Sequence, residues 1–332
     1  MTHDSSHVPL SADTSTSHAE AAAELALSPA QLIRRRLRGD RVATTSAAVL
    51  VGIVILTLAA DPLTHALGVN AFDFNSGLIS DDGGMPIGSL GGAGWPHLLG
   101  VEPLTGRDIF ARLLYGARTS LVIAALATIA TLVLGTVLGA VSGYARGVVD
   151  SLLGRLMDLV LAFPLLLVVI ALAPVLDQRL NAVGVPPGNP TRIIGIIVVL
   201  STFGWPYLAR IVRGQVLSLR ERDYVTAARA MGAGTTRILW REILPGLTSV
   251  ILVYATLLMP SYIAAEAALA YLGISVQPPT PTWGAMLDDS VTYFTVDPFY
   301  FFAPTVALVT TVLAFNLLGD SLRDALSADS HS

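Results

Sequence analysis

The side chains that could act as nucleophiles, bases or metal ligands are few in this 332-residue chain, and most lie outside its apolar stretches. All twenty basic residues are Arg, and Lys is absent. A phosphate-binding loop of the G-x-x-x-x-G-K-[ST] kind needs a Lys on the β- and γ-phosphates, so these residues contain none. Schiff-base chemistry on a Lys side chain is excluded for the same reason. Cys is absent as well, which removes thiolate nucleophiles, thiolate metal sites and disulfides. The six His (His3, His7, His18, His65, His97 and His331) all fall outside the long apolar runs. No H-E-x-x-H occurs, and no Ser–His or paired-Asp constellation can be placed inside an apolar run. Glu266 is the one charge that sits well within such a run. A charge at membrane depth costs about 2.5–3.5 kcal/mol on insertion scales and faces a cavity or a partner.

The elements that would hold these residues follow from composition. Hydrophobic residues make up 53% of the chain and charged ones 13%, against roughly 25% charged in soluble domains. Most of the surface therefore faces something other than water. A net charge of −4 argues against a nucleic-acid binder. Six charge-poor stretches are long enough to cross a bilayer, at 42–60, 119–145, 159–176, 193–209, 247–273 and 298–319. The expectation is an all-α integral membrane protein with six transmembrane helices and both termini on one side. With the termini cytoplasmic, fifteen of the twenty Arg fall inside and five outside, as the positive-inside rule asks. The organisation expected is a disordered cytoplasmic tail at 1–33, an Arg-rich flank and first span at 34–60 and an extracytoplasmic loop at 61–118. A five-helix core at 119–327 and a short tail at 328–332 complete it. The apolar run after Arg41 is 19 residues, longer than the ~7–15 of a signal peptide, and reads as an uncleaved span.

Two polar segments carry pattern. In the first loop, Phe110, Leu113, Leu114 and Leu121 recur at helical spacing with Arg107, Arg112 and Arg118 between them. This spacing predicts either an amphipathic helix on the membrane surface or a plain linker helix. Between the fourth and fifth spans, residues 213–245 are too polar for lipid. Tyr224, Ala227, Ala228 and Met231 fall on one helical face. Gly232 suits a left-handed C-cap, Thr235 or Thr236 could cap a second short helix, and Pro245 would end it. The prediction is two short helices joined at a glycine, with a small apolar face exposed to a partner.

The insert resembles the EAA loop of ABC importer permeases: Thr226-Ala227-Ala228, Gly232 and Leu244-Pro245 keep that pattern's spacing. Thr226 replaces its Glu, and Glu242 stands where the pattern is apolar. Flanking text agrees, in HLLGVEPLTGRDIFARLLYGARTSL (97–121), DSLLGRLMDLVLAFPLLL (150–167), EAALAYLGISVQPPTPTWG (266–284) and AFNLLGDSLRDAL (314–326). These segments are similar to permeases of the dipeptide/oligopeptide/nickel branch, C-type, over roughly residues 95–327. The resemblance implies the type I ABC importer permease (binding-protein-dependent transport inner-membrane component) fold. It implies a homologous second permease and two cytoplasmic ATPase subunits that bind ATP and Mg. An extracytoplasmic binding protein and a di- or oligopeptide substrate are implied too, with nickel or another small solute as the alternative cargo. It places ATPase coupling on Tyr224, Ala227, Ala228, Met231, Gly232, Leu244 and Pro245. No cofactor is expected in the chain itself, and membrane lipid surrounds it.

Other polar and helix-breaking residues each have two readings. Pro164, Pro206 and Pro260, in the third, fourth and fifth spans, either kink helices around a translocation pathway or reflect the general tolerance for Pro in membrane helices. Glu266 either lines the pathway or pins the outer interface through Ser261 or a neighbour. Asn316 carries the same choice. Arg220, Glu221, Arg222 and Asp223 either pair with an ATPase or are solvated. The stiff loop QPPTPTW (277–283) either docks a binding protein or caps the spans. Two rivals are a self-sufficient secondary transporter and an intramembrane protease. The first needs intramembrane ionisable groups and often internal repeats, whereas here Glu266 stands nearly alone and no repeat is seen; for the second no catalytic constellation can be placed in the membrane.

Overall fold

The computed structural model describes residues 39–327. The tail expected at 1–33, Arg34 to Arg38 and the segment 328–332 lie outside them. Six helices are long and apolar enough to cross a membrane. They are α1 (Arg41–Leu58), α3 (Ile109–Ala145), α5 (Leu165–Ala182), α6 (Asn189–Leu219), α8 (Thr235–Tyr271) and α10 (Pro298–Ser327). Shorter helices join them: α2 (Ala60–Leu67), α4 (Gly147–Ala162), α7 (Asp223–Ala230) and α9 (Trp283–Ser290). The long loop 68–108 and the segment 272–297 gather at one end of the bundle, held by hydrogen bonds such as Arg112 Nη1 to the Pro279 carbonyl, 3.1 Å. The segment 220–247 lies at the other.

Small residues set the tightest packing. Gly135, Gly139 and Gly143 recur every four residues on α3 and face Leu208, Ala209, Val212 and Val216 of α6. A Cβ at Gly139 would come 2.5 Å from the Ala209 carbonyl oxygen. Without a hydrophobic drive between helices in lipid, close backbone approach of this kind supplies the attraction through van der Waals contact. The core continues through Ile123, Ala127, Leu200, Ile263 and Trp283. At its centre the Tyr262 hydroxyl donates to the Leu200 carbonyl at 3.2 Å and lies 2.7 Å from the Thr131 hydroxyl, joining α3, α6 and α8.

Several elements differ from the sequence reading: the fourth span, expected at 193–209 with the insert starting at 213, runs as α6 through Leu219, so the insert begins at 220. Residues 109–145 form one helix, which at about 1.5 Å per residue is longer than the ~30 Å hydrocarbon core. Its first turns are therefore the projecting start of the span, not a separate helix lying on the membrane. Arg112 is buried there beside Glu102. The third span begins at Leu165 instead of 159, because the chain breaks at Phe163–Pro164. Pro164 is the N-cap of α5, in extended conformation, not a kink within a helix. Pro lacks the N–H that a helix interior requires and is tolerated at a helix start.

Candidate functional site

The segment 220–247 folds as a helical elbow. α7 starts after Arg222 and ends at Met231, where Gly232 takes φ +83°. The Ala233 N–H reaches back to the Ala228 carbonyl at 3.0 Å, closing the helix end as a Schellman turn. Neither Thr235 nor Thr236 caps the second arm, whose N-cap is Gly234 with no side-chain bond. The second arm does not stop at Pro245 either. Winding runs unbroken from Thr235 to Tyr271, wide (π) over Ile238–Ile243 and tight (3₁₀) over Leu244–Leu247. Pro245 cannot donate to a carbonyl one turn back and its ring crowds that turn. The change of winding absorbs both effects, so the elbow is rigidly continuous with the fifth span.

The predicted apolar face divides in two. Tyr224 (46% exposed) and Met231 (82%) point outward, and Ala227 lies between them, also exposed. Ala228, 6% exposed, points inward with Val225. That inner face packs with Ile238, Ile243 and Leu247 onto Leu208, Val212 and Val216 of α6. Ala228 is therefore turned inward, away from the outer face on which the spacing placed it. Leu244 is half-buried and Pro245 exposed. Salt links root the elbow. Arg220 donates to the Gly143 carbonyl at 2.6 Å, and Glu221 bridges Arg146 at 2.6 Å and Arg220 at 3.2 Å. Arg220 and Glu221, read as candidates for an ATPase contact, are thus used within the chain, while Arg222 and Asp223 stay exposed. Next to them Asp150 accepts from Arg213 Nε and Nη2, at 2.6 and 2.8 Å, and from the Ser142 hydroxyl at 2.7 Å. The Arg213 guanidinium, helped by Ser142, holds the Asp150 carboxyl down at about 2.

The residues expected along a pathway do not share a surface. Glu266 is fully buried. Its carboxylate accepts from Ser275 Oγ at 2.7 Å and Ser120 Oγ at 3.2 Å, and Ser120 Oγ in turn accepts the Trp283 N–H at 3.1 Å. It is a pin joining α3, α8 and the start of α9. Ser261 takes no part, since its hydroxyl donates to the Leu257 carbonyl. Pro206 and Pro260 are buried within α6 and α8, whereas Pro164 and Asn316 are exposed. The 277–283 loop has an exposed tip at Gln277 to Pro279 and a base buried at Pro281 to Trp283. Asn189 holds that tip through Nδ2 to the Gln277 carbonyl (2.8 Å) and Oδ1 from its N–H (2.9 Å).

Sequence reasoning missed the centre of the loop end. Arg112 pairs with Glu102 and donates to the Ala71 and Pro279 carbonyls at 3.3 and 3.1 Å, while Arg107 pairs with Glu102 at 2.8 Å. Asp108 caps α3 through the Ala111 N–H (2.6 Å) and meets His97 at 2.8 Å. Burial pushes the Asp108 carboxyl above its ordinary value against those hydrogen bonds. The four-residue glycine spacing of α3 was the one available sequence signal for the α3–α6 contact. Nothing local in sequence announces the Glu102–Arg112 pair.

Comparison with known proteins accords with this architecture. The family described as binding-protein-dependent transport system inner membrane component matches residues 135–330. The chain is 36% identical over 292 residues, 88% of each chain, to the glutathione transport system permease protein GsiD of Shigella dysenteriae serotype 1. It is 40% identical over 230 residues, 69% of this chain and 71% of the relative, to the oligopeptide transport system permease protein OppC of Bacillus subtilis. A solved chain of the MetNI methionine ABC transporter in an inward-facing conformation superposes with a TM-score of 0.51 at 18% identity. That match covers 64% of this chain and 96% of the other, a likeness of fold. Six membrane-length helices arranged in this fold, with sequence relatives along most of their length, mean that the chain belongs to the binding-protein-dependent transport system inner membrane component family, the permease subunits of ABC importers.

Proposed function

We propose that this chain is one of two homologous permease subunits of an ATP-driven importer that carries peptides across the plasma membrane. Its termini are cytoplasmic, so the elbow 220–247 faces the cytoplasm and the 68–108 loop the outside. The observation that carries the reading is the elbow itself. It presents Tyr224, Ala227 and Met231 outward, and its inner side is packed continuously onto α6 and wound into α8. A push on the exposed face is then delivered to two spans at once, without a hinge between. The outward small residue Ala227 allows a second surface close approach, and Gly232 fixes the angle of the elbow.

The power stroke comes from two separate ATPase subunits, which hold ATP and Mg. These 332 residues contain no Lys and hence no Walker A loop. ATP-driven closure of the ATPase pair moves the elbow, and α6 and α8 with it, relative to the second permease. Pro206 and Pro260 interrupt the hydrogen-bond ladders of these two helices and ease their bending. Peptide arrives from an extracytoplasmic binding protein. The relatives named for glutathione and oligopeptide transport support the cargo class. The test is uptake into proteoliposomes holding this chain, its second permease, the ATPase subunits and the binding protein. Uptake of glutathione or short peptides that requires ATP supports the reading; uptake by this chain alone, or none of any peptide, contradicts it.

A further inference from the structure

A cleft of about 330 Å³ lies between α5, α6 and the turn after α8, at the loop end of the bundle. Among the described residues, α5 is the span least enclosed by its own chain, and the cleft lies on its inner side. α5 contributes Val169, Ala173 and Asp177, one face at four-residue spacing, and α6 contributes Arg192 and Ile196 one turn apart. The space is open over Gly195, where an added Cβ would meet nothing within 4 Å. Arg192 spends Nη1 on the Ser275 carbonyl at 3.1 Å. Asp177 has no hydrogen-bond or ion-pair partner among the described residues, and the two charges do not pair with each other.

We propose that this cleft binds a free peptide by its two ends, Asp177 taking the α-ammonium and Arg192 the α-carboxylate, with the apolar walls receiving side chains. The proposal rests on the peptide-import reading and names the part of the substrate that is recognised. Asp177 and Arg192 are each half-buried at the edge of a mostly apolar cleft. They complement a ligand that carries the reverse charges at its two ends. A plain anion would be repelled by Asp177 and a plain cation by Arg192. Among the described residues no group of three or more His, Asp or Glu could hold a metal ion there. The volume falls within the ~300–1,000 Å³ of small-ligand sites.

The test uses the full-length chain in lipid nanodiscs with tritiated Leu-Leu as the probe and N-acetyl-Leu-Leu-amide as competitor. Wild type binds Leu-Leu saturably, and the capped peptide fails to compete. D177N and R192Q each weaken binding about 10–100-fold, the loss of one charge-assisted bond, and R192K retains more than R192Q. G195L fills the open space and abolishes binding while the thermal midpoint stays at the wild-type value, which separates occlusion from misfolding. No saturable binding to wild type, wild-type affinity in D177N or R192Q, or competition by the capped peptide as strong as by Leu-Leu itself overturns the proposal. Neither ATP nor a partner chain enters this measurement. Lost binding with intact ATP-dependent uptake therefore condemns the site alone, and intact binding without uptake condemns the import reading alone.

Discussion

Single residues here separate structural pins from working surfaces. Glu266 would attract attention in any reading of the sequence, because a lone carboxylate at membrane depth is expensive. Its partners Ser120 and Ser275 make it a buried fastening instead. Glu266→Ala strands both hydroxyls and should cost about 1–3 kcal/mol, seen as a lower midpoint in a thermal melt of the purified chain. Glu266→Gln keeps an acceptor and should cost less. An unchanged melt for the Ala variant would remove the pin. Asp150 makes the pH-dependent prediction. Its carboxyl is held at about 2, below its ordinary 3.8, by Arg213 first and Ser142 second. A carboxyl with a lowered folded-state pKa stabilises the fold above the unfolded value and loses that contribution as pH falls through the folded value. Wild type should therefore melt higher than Asp150→Asn at neutral pH. The gap should close as pH falls from about 4 to about 2, and a pH-independent gap would contradict the pairing.

At the scale of the element, the elbow shows what spacing can and cannot tell. The glycine turn was legible because Gly232 follows an apolar helical face, and left-handed caps favour Gly. Which side of that helix faces inward was not legible: Ala227 and Ala228 are neighbours, and only the position of Ile238, Ile243 and α6 decides between them. The two alanines now predict opposite outcomes. Ala228→Trp overpacks a buried contact and should destabilise the chain by about 1–3 kcal/mol. Ala227→Trp should leave the melt unchanged and uncouple ATP hydrolysis from uptake in the assembled importer. Matching effects on the melt would refute the division of the face. Among spans, α3 shows the same limit. Its C-terminal end followed from the apolar run, but its start at Ile109 did not, and the burial of Arg112 depends on Glu102, ten residues away across a turn and outside any helical period. Gly139→Val, placing side-chain atoms against the Ala209 backbone, should separate α3 from α6 and sharply lower the yield of folded protein in detergent.

For the whole molecule, six membrane crossings follow from little more than runs of about 20 apolar residues, because lipid leaves the backbone no alternative to helix. The break at Phe163–Pro164 and the unbroken winding through Pro245 were not legible: Pro164 read as lying within a span and Pro245 as a helix end, and only the packing around each decides between a stop and a change of pitch. What remains is an assembly claim: the exposed side of the elbow is seated on a nucleotide-hydrolysing partner. The chain has no native Cys, so Met231→Cys introduces a unique thiol at an exposed position of that side. The deciding measurement is the fate of that thiol in the assembled importer, treated with a short bifunctional thiol cross-linker or a water-soluble maleimide. The account predicts a cross-link to an ATPase subunit and protection from the maleimide; free labelling at the rate of the isolated chain, with no cross-link, contradicts it.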